Sequence, residues 1–278
     1  MTAPATARRT RRPLIARVEE THRISPHMIR VVVGGEDLAG FGAGEFTDHY
    51  VKLQFPPAGA PYAQPFDPAE IKASLPREQW PRMRTYTVRA FDPERLRLTV
   101  DVVVHGDEGL AGPWAAAARP GDRIQLFGPG GGYTPDPAAP WHLLVGDPSV
   151  LPAIAASLER IPAGVPAFVV VETDGPEDEL PLATPGELAL RWVPNDDGAL
   201  LGAVRELELP AGAGHCFVHG EATAVREVRK HLLLERGVEP ERLSASGYWK
   251  RRRTDEEWRA DKAEWLRQAE LDTAGALP

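Results

Sequence analysis

The chain has 278 residues, of which 42% are hydrophobic and 26% charged, and a formal net charge of −8 at pH 7. This composition is ordinary for a soluble globular protein, and the length is sufficient for two domains. The negative charge argues against non-specific nucleic-acid binding, and no apolar run approaches the roughly 20 residues of a membrane span. The single cysteine, Cys216, excludes a disulfide framework, a cysteine-ligated zinc site and a cysteine-ligated iron–sulfur cluster.

The N-terminal segment does not read as a targeting signal. Met1–Pro13 is basic and polar, but Arg17 and Glu19 interrupt the apolar segment that a secretory or twin-arginine signal needs. We therefore expect a cytoplasmic protein without membrane insertion.

The first half of the chain is predicted to form a small antiparallel β-barrel. Short segments rich in Val, Ile, Leu, Tyr and Phe alternate with Gly, Pro and Asp, a pattern typical of strands joined by turns. The proline-rich segment Pro56 to Pro81 is predicted to be a long loop with a short helix around Ala69–Ala73. The predicted strands are Leu14–Glu20, Met28–Val33, Tyr50–Phe55, Thr85–Phe91, Leu96–Val104 and Arg123–Phe127.

After Pro140 the pattern changes to alternating strands and helices, which predicts a parallel α/β sheet. A capping box at Thr254 and Glu257 predicts a final helix from about Asp255 to Glu270. We expect domains at residues 1–138, 139–246 and 247–278. The predicted α/β elements are strands Leu143–Gly146, Ala167–Glu172 and Cys216–His219, and helices Ser149–Arg160, Ala199–Leu207 and Glu221–Glu235.

The segment Arg84-Thr85-Tyr86-Thr87-Val88-Arg89 is the first candidate binding motif. A tyrosine can pack on a flavin ring, an arginine can pair with a phosphate, and a threonine hydroxyl can bind a flavin nitrogen. Taken alone, the motif is explained more simply by a half-buried strand with exposed arginines, and both interpretations stay open.

Three glycine-containing segments are further candidates. His105 to Trp114 leads through glycines into a helix, whose free N–H groups could bind a pyrophosphate, although a plain turn is the alternative. Leu126 to Tyr133 contains three consecutive glycines, which allow either a close approach to a flat ligand or a flexible linker. Gly146-Asp147-Pro148-Ser149 ends a predicted parallel strand, where ligands bind in open α/β sheets, but it lacks the full dinucleotide fingerprint.

Taken in order, these segments resemble the siderophore-interacting protein family, the flavin-dependent ferric-siderophore reductases of the ferredoxin-reductase-like superfamily. The resemblance extends from about Leu14 to Trp265. Its strongest blocks are Arg84–Arg89, His105-Gly106, Pro120-Gly121-Asp122, Gly128–Gly131, Gly146-Asp147 with Leu151-Pro152-Ala153, Gly220-Glu221-Ala222 and Gly247-Tyr248-Trp249-Lys250.

The resemblance implies a barrel that binds FAD, followed by a sheet that binds the nicotinamide of NADH or NADPH. It implies flavin contacts from Arg84, Tyr86, Thr87 and Val88, with His105 nearby and the turn containing Gly109, Ala111 and Gly112 on the phosphates. It places Asp147 and Glu221 on the nicotinamide side and Trp249 near the flavin. The basic residues implied to face a ferric siderophore are Lys52 and Lys250, which Arg251 would supplement.

Three departures from the family pattern affect these expectations. One is that Phe217 replaces a frequent tryptophan and His219 a frequent alanine. Where the family commonly has Gly-Pro-Ala-Ser-Arg-Trp, the segment Gly109–Trp114 reads Gly-Leu-Ala-Gly-Pro-Trp, so phosphate binding would depend on backbone N–H groups. Arg252 replaces a usual glycine and makes Lys250–Arg253 more basic, although a solvated run of charge remains an alternative.

The resemblance implies an NAD(P)H-dependent reductase that uses FAD to reduce Fe(III) in a ferric siderophore, with no protein metal site and no obligate protein partner. The acidic stretch Glu172–Glu179 predicts a preference for NADH, unless Arg226, Arg229 or the basic tail folds over to reach the adenosine. Two alternatives remain: a reductase of flavodoxin or ferredoxin, and a non-catalytic siderophore-binding protein.

Overall fold

A computed structural model describes residues 12–42, 44–106 and 109–274. Two parts of the predicted segments lie outside these residues. They are Asp107 and Glu108, within the candidate segment His105 to Trp114, and all but the end of Met1–Pro13. Within them, no helix is long and apolar enough to cross a membrane.

The predicted N-terminal barrel is confirmed as a closed sheet of antiparallel strands. Its strand order is β1-β2-β5-β4-β3-β6, and β4 and β5 form the predicted hairpin. The first strand runs to Ser25, beyond the predicted end at Glu20, because it continues to pair with β2 as far as their turn. The strands are β1 (Leu14–Ser25), β2 (Met28–Gly34), β3 (Tyr50–Phe55), β4 (Arg82–Asp92), β5 (Arg97–Val103) and β6 (Arg123–Gly130).

The barrel is filled by the alternate side chains that face inward from its strands. Val31, Leu53, Leu98, Val100 and Leu126 have at most 1% of their surface exposed. Their neighbours along each strand face outward, as the two-residue period of a strand requires. The outward face of β3 is therefore available to carry Tyr50 and Lys52.

The proline-rich segment is folded onto this outer face. Helix α1 (Pro68–Ser74) confirms the predicted short helix, and the Asp67 carboxylate caps it by accepting a hydrogen bond from Ala69 N at 2.7 Å. The buried Gln125 amide binds the backbone of Phe66 through two hydrogen bonds, of 2.9 and 2.8 Å. The segment is thereby attached to the barrel.

The C-terminal half contains the predicted parallel sheet, in the order β11-β10-β7-β8-β9. Its strands are β7 (His142–Gly146), β8 (Pro166–Thr173), β9 (Glu187–Pro194), β10 (His215–Glu221) and β11 (Leu243–Trp249). Its helices are α3 (Leu151–Leu158), α4 (Ala199–Arg205) and α5 (Ala222–Leu234), and α2 (Ala111–Ala117) belongs to the barrel.

Strands β9 and β11, at the two edges of this sheet, were not predicted from the sequence. β9 is mostly exposed, and β11 consists largely of small residues, so neither shows the apolar run of a central strand. β11 continues to Trp249, three residues past the expected domain boundary at 246. Gly247 is needed there, because a Cβ atom would come within 2.8 Å of the Trp258 side chain.

The final helix, α6 (Asp255–Leu271), has the predicted capping box between Thr254 and Glu257. Trp258 and Trp265 are buried on one face of α6, and the Trp265 indole donates a hydrogen bond to the Ala222 carbonyl at 3.0 Å. Helix α6 therefore packs on α5, and the N-terminus of α6 lies against the barrel.

Polar contacts join the two domains. The buried Asp178 carboxylate accepts hydrogen bonds from the Ser25 hydroxyl at 2.6 Å and from the His27 backbone N–H at 3.1 Å. The His27 ring lies 2.7 Å from the same carboxylate. One residue of the acidic stretch Glu172–Glu179 thus contributes to domain contact instead of facing a ligand.

Candidate functional site

Asp147 lies at the carboxyl end of β7 and is 2% exposed. Its carboxylate accepts hydrogen bonds from Ser149 N at 2.8 Å, from Glu221 N at 2.7 Å and from the Trp249 indole at 2.9 Å. Gly220 is required beside it, since φ is +127° and a Cβ atom would lie 2.3 Å from the Asp147 carboxylate. Burial raises the pKa of Asp147, and the hydrogen bonds oppose that rise.

Glu221 is the neighbouring carboxylate at the end of β10. It caps α5 by accepting hydrogen bonds from Thr223 N at 2.6 Å and from Ala224 N at 3.0 Å. It also accepts a hydrogen bond from the Arg251 backbone N–H at 3.2 Å. The structure thus brings together Asp147, Glu221 and Trp249, which the sequence assigned to the nicotinamide and flavin sides.

Glu172 completes this group and was not among the predicted site residues. It lies one residue before the end of β8 and is 2% exposed. One of its carboxylate oxygens has no hydrogen-bond partner among the described residues. Burial and the nearby charge of Asp147 raise the pKa of Glu172 to about 7, against the lowering effect of Arg251. We call Asp147, Glu172 and Glu221 the carboxylate edge.

Arg251 reaches the carboxylate edge from the C-terminal segment. Its guanidinium donates a hydrogen bond to the Asn195 side-chain oxygen at 2.6 Å and lies 3.9 Å from Glu172 and 3.7 Å from Asp197. The basic tail does fold over the end of β8, as the sequence left open. Arg251 therefore lies against the ends of β8 and β9 in the parallel sheet. Its contact with a siderophore stays a prediction.

Arg84, the predicted phosphate contact, is ion-paired with the start of α6. Its guanidinium lies 2.8 Å from Glu256 and 3.2 Å from Asp255, and it also donates a hydrogen bond to the Met83 carbonyl at 3.0 Å. Arg259 pairs with Asp255 at 2.7 Å, so this carboxylate is shared by two arginines.

The other predicted flavin contacts on β4 are largely enclosed by protein. Tyr86 packs against the barrel core, and burial raises its pKa. Thr87 is 7% exposed and forms a hydrogen bond with Tyr248 of β11, and Val88 is a core residue with 6% exposure. Sequence alternation alone could not show how deeply these residues lie.

The predicted phosphate-binding turn leads into α2. Gly109 has a φ of +81°, which favours glycine, and Leu110 precedes the helix without capping it through a side chain. His105 is exposed, whereas Ala111 and Gly112 are buried against the end of β5. These positions remain predicted cofactor contacts.

The glycines of β6 are explained by protein contacts. A Cβ atom on Gly130 would come within 2.2 Å of the Tyr50 ring, and one on Gly128 within 3.0 Å of the Tyr50 carbonyl oxygen. Close packing against β3 therefore accounts for both residues, and a flat ligand is not needed to explain them.

A cavity of about 1270 Å³ lies between the outer face of β3, the proline-rich segment and the start of α6. Lys52 contributes to its wall, as do Asp255 and Glu256, which hold Arg84. Basic residues outnumber carboxylates in this wall by five to four, so we call it the cationic cavity. The basic residues are Lys52, Lys72, Arg77, Arg82 and Arg259, and the carboxylates are Asp67, Glu78, Asp255 and Glu256. Neither Lys250 nor Arg251 contributes to this wall.

The residues of β4 fit a flavin in their chemistry, with one condition. A guanidinium can pair with a phosphate and a threonine hydroxyl can donate a hydrogen bond to the flavin. An aromatic ring on the same strand can pack on the flavin ring system. The Arg84 side chain is 17% exposed and already forms ion pairs with two carboxylates. A phosphate would therefore have to share Arg84 with Asp255 and Glu256 or displace them.

Comparison with known proteins shows the family. Residues 17–133 match the siderophore-interacting FAD-binding domain, and residues 139–252 match the siderophore-interacting protein domain. This chain belongs to the siderophore-interacting protein family. The barrel is therefore its FAD-binding domain, and the parallel sheet is the second domain of the family.

Similar members of the siderophore-interacting protein family include two proteins that are named as reductases. The chain is 34% identical to the ferric vibriobactin reductase ViuB of Vibrio cholerae, over 86% of this chain and 90% of ViuB. It is 31% identical to the NADPH-dependent ferric-chelate reductase of Escherichia coli, over 87% of this chain and 93% of that reductase. The structure of the siderophore-interacting protein SipS from Aeromonas hydrophila superposes with a TM-score of 0.78 at 29% identity. The superposition covers 92% of this chain and 99% of SipS. These likenesses support an oxidoreductase.

Proposed function

We propose that the chain is an NAD(P)H-dependent, FAD-containing reductase of ferric siderophores. The observation that carries this proposal is the cationic cavity. Its wall includes Asp255 and Glu256, the two carboxylates that pair with Arg84 on β4, the strand predicted to bind the flavin. A cavity of this size and charge suits a bulky anionic complex, and its position beside Arg84 suits transfer of electrons from a flavin.

The protein's part in this chemistry is to position the cofactor and the substrate and to enclose them. FAD, when bound, supplies hydride acceptance from a nicotinamide and single-electron donation to Fe(III). Arg84 would hold the flavin phosphate, with Thr87 and Tyr86 beside the ring. Asp147 fixes the indole of Trp249 at the end of β11, and we propose that this indole borders the flavin and nicotinamide.

The ferric siderophore would be bound as a substrate by Lys52, with Lys250 at the adjoining basic segment. Siderophore oxygen donors hold Fe(III) strongly and Fe(II) less well, so reduction releases the metal. No group of three or more His, Cys, Asp or Glu residues able to hold a metal is present in the part of the chain that the structure describes. The iron would therefore remain within its chelator until reduction.

An anaerobic titration of the purified protein tests this function. We expect a flavin spectrum, identified as FAD by chromatography after heat denaturation, which bleaches on addition of NADH or NADPH. A ferric siderophore should then restore the spectrum, with Fe(II) appearing in a ferrous trap. Absence of flavin would favour a binding protein, and restoration by flavodoxin or ferredoxin alone would favour the other reductase class.

Variants of the two proposed basic contacts locate the substrate. Lys52→Ala should raise the apparent KM for a ferric siderophore without changing the rate of flavin reduction, because the charge acts on the substrate alone. Lys250→Ala is expected to do the same to a smaller degree, since Lys250 is not part of the cavity wall. Slower flavin reduction in either variant would instead assign that lysine to the nicotinamide side.

A further inference from the structure

The outer side of β9 is an exposed edge of the parallel sheet. Among the described residues, β9 pairs with β8 alone, in a regular register along the whole of Glu187–Pro194. The opposite edge of the sheet differs, because α6 packs beside β11 and the Lys262 ammonium donates a hydrogen bond to the Ser246 hydroxyl at 3.4 Å. An exposed edge strand carries a row of backbone N–H and C=O groups to which another strand can pair.

Backbone hydrogen bonds identify the residues of β9 that face outward. Glu187 N donates a hydrogen bond to the Val165 carbonyl at 3.0 Å, and Asn195 N donates one to the Thr173 carbonyl at 3.1 Å. Successive residues of a strand direct their backbone groups to opposite sides, so the odd-numbered residues of β9 bind the β8 side. The backbone groups that point outward are those of Leu188, Leu190 and Trp192.

The side chains of β9 complement a second copy of the same strand. A two-fold axis normal to the sheet makes the two strands antiparallel and keeps each face of the sheet on its own side. With this axis at Ala189, Glu187 lies opposite the partner's Arg191, and the same pair recurs on the other side of the axis. Leu188, which is 37% exposed, then lies opposite the partner's Leu190.

Other positions of the axis lose this charge complementarity. An axis at Leu190 would place Glu187 opposite the partner's Val193 and Arg191 opposite the partner's Ala189. An axis at Arg191 would place two arginines opposite each other. Like charges in opposing positions destabilise a strand pair and opposite charges stabilise it, so the charges of β9 select the axis at Ala189.

The backbone agrees with the axis at Ala189. Leu188 and the partner's Leu190 both direct their backbone groups outward, so they can exchange both hydrogen bonds of an antiparallel pair. Glu187 and Arg191 direct theirs toward β8 and therefore form a pair without backbone hydrogen bonds, the type in which opposing side chains lie closest. Ala189 is exposed and small, so little bulk lies at the axis itself.

We propose that the exposed edge of β9 is the interface of a homodimer, in which the sheets of two copies join through antiparallel β9 strands. This proposal goes beyond the proposed function and does not depend on the flavin or on the substrate. Arg191 also lies 2.7 Å from Glu206 of its own chain. Both of these side chains are exposed, so the arginine can turn to the partner's Glu187 at little cost.

Sedimentation velocity of the full, flavin-loaded chain tests the dimer. One pair of strands is a small interface, so we expect the mass to rise from one chain to two between about 1 and about 200 µM protein. A monomer throughout this range would overturn the proposal.

Charge variants test the register. Arg191→Glu and Glu187→Arg should each weaken the dimer about tenfold, because each places like charges opposite each other on both sides of the axis. The double variant restores opposite charges and should dimerise nearly as tightly as the wild type. It is also a matched control for Arg191→Glu, because both lack the ion pair with Glu206. Single variants without effect, or a double variant as weak as they are, would show that β9 does not pair in this register.

A backbone variant tests the added ladder. Leu188→Pro removes an outward N–H group and leaves the hydrogen bonds to β8 in place, since an edge strand accepts proline where its N–H faces away from the sheet. We expect it to weaken the dimer about tenfold or more, and Leu188→Ala, which keeps the N–H group, to weaken it less. Urea unfolding of both variants checks that the monomer is intact. Equal dimerisation of the two variants would overturn the proposal.

Discussion

The carboxylate edge and the cationic cavity both concentrate charged side chains. The two regions differ in whether those side chains find their partners within the chain. At the edge, Asp147 and Glu221 accept hydrogen bonds from backbone N–H groups and from an indole of the same chain. In the cavity, Lys72, Arg77 and Arg82 line open space, and Lys72 lies over the Trp80 ring.

The difference indicates which region builds the site and which receives a ligand. A buried charge whose partners belong to the chain stabilises the fold, whereas a charge that faces a cavity retains its capacity for a ligand. We expect substitutions at the edge to change stability first and substitutions around the cavity to change binding first.

The largest effect is expected from Asp147→Ala. The substitution leaves Glu221 N, Ser149 N and the Trp249 indole without their acceptor. Each unsatisfied buried donor costs about 1–3 kcal/mol, and the 36% exposed Trp249 contributes least. We therefore expect a loss of about 3 kcal/mol or more in the free energy of unfolding. Urea denaturation measures it. Ser149→Ala removes only the hydroxyl that donates a hydrogen bond to Asp147 at 2.5 Å and keeps the shared acceptor. It should cost less than half as much, and an equal cost would show that Asp147 is not the central acceptor.

The second effect concerns Glu172 and pH. Its pKa is about 7 in the folded chain against an ordinary value of 4.5, so the folded state binds more protons between these values. Stability contributed by this residue therefore falls as pH rises from about 4.5 to about 7, by at most about 3 kcal/mol, and is level above that range.

Glu172→Gln removes this titration. The difference in unfolding free energy between the variant and the wild type should move in favour of the variant between pH 5 and pH 8, by about 1–3 kcal/mol. Thermal or urea unfolding at both pH values measures it, with the exposed Glu264→Gln as a control that shows no such change. A difference independent of pH would mean that Glu172 is ionised in the folded chain across this range.

A third effect connects the two regions through Arg84. If Glu256 competes with a flavin phosphate for this guanidinium, Glu256→Gln should tighten FAD binding to the deflavinated protein by about fivefold, or about 1 kcal/mol. Fluorescence titration with FAD measures it, and Glu264→Gln again serves as the control. Weaker binding in the variant would show that Glu256 positions Arg84 for the phosphate and does not compete with it.

The sequence was sufficient for the elements with strong patterns. The barrel, its hairpin, the capping box of α6 and the central strands of the sheet follow from apolar alternation, turns and caps. The edge strands β9 and β11 were missed because exposed or small side chains give no such pattern.

The site was only partly predictable, for a different reason. Glu172 and Arg251 lie far apart in sequence and meet only because β8 ends beneath the C-terminal tail. Lys52 of β3 and Asp255 at the start of α6 also lie far apart in sequence and line one cavity. Motifs locate residues that act within one segment, and contacts between segments need the tertiary structure.

The smallest expected effect concerns the choice of nicotinamide donor. Glu172, Asp196 and Asp197 keep the end of the sheet acidic, so we still expect NADH to be preferred over NADPH. Arg251 is a cation within this acidic group and would moderate the repulsion of a 2′-phosphate. Arg251→Ala should therefore lower kcat/KM for flavin reduction with NADPH by roughly threefold, and with NADH by less. Stopped-flow reduction at matched ionic strength measures both values, with Arg252→Ala, on the exposed side of the same turn, as the control. Equal losses with the two donors would place Arg251 away from the phosphate, and a raised KM for the ferric siderophore alone would return it to the role that the sequence first suggested.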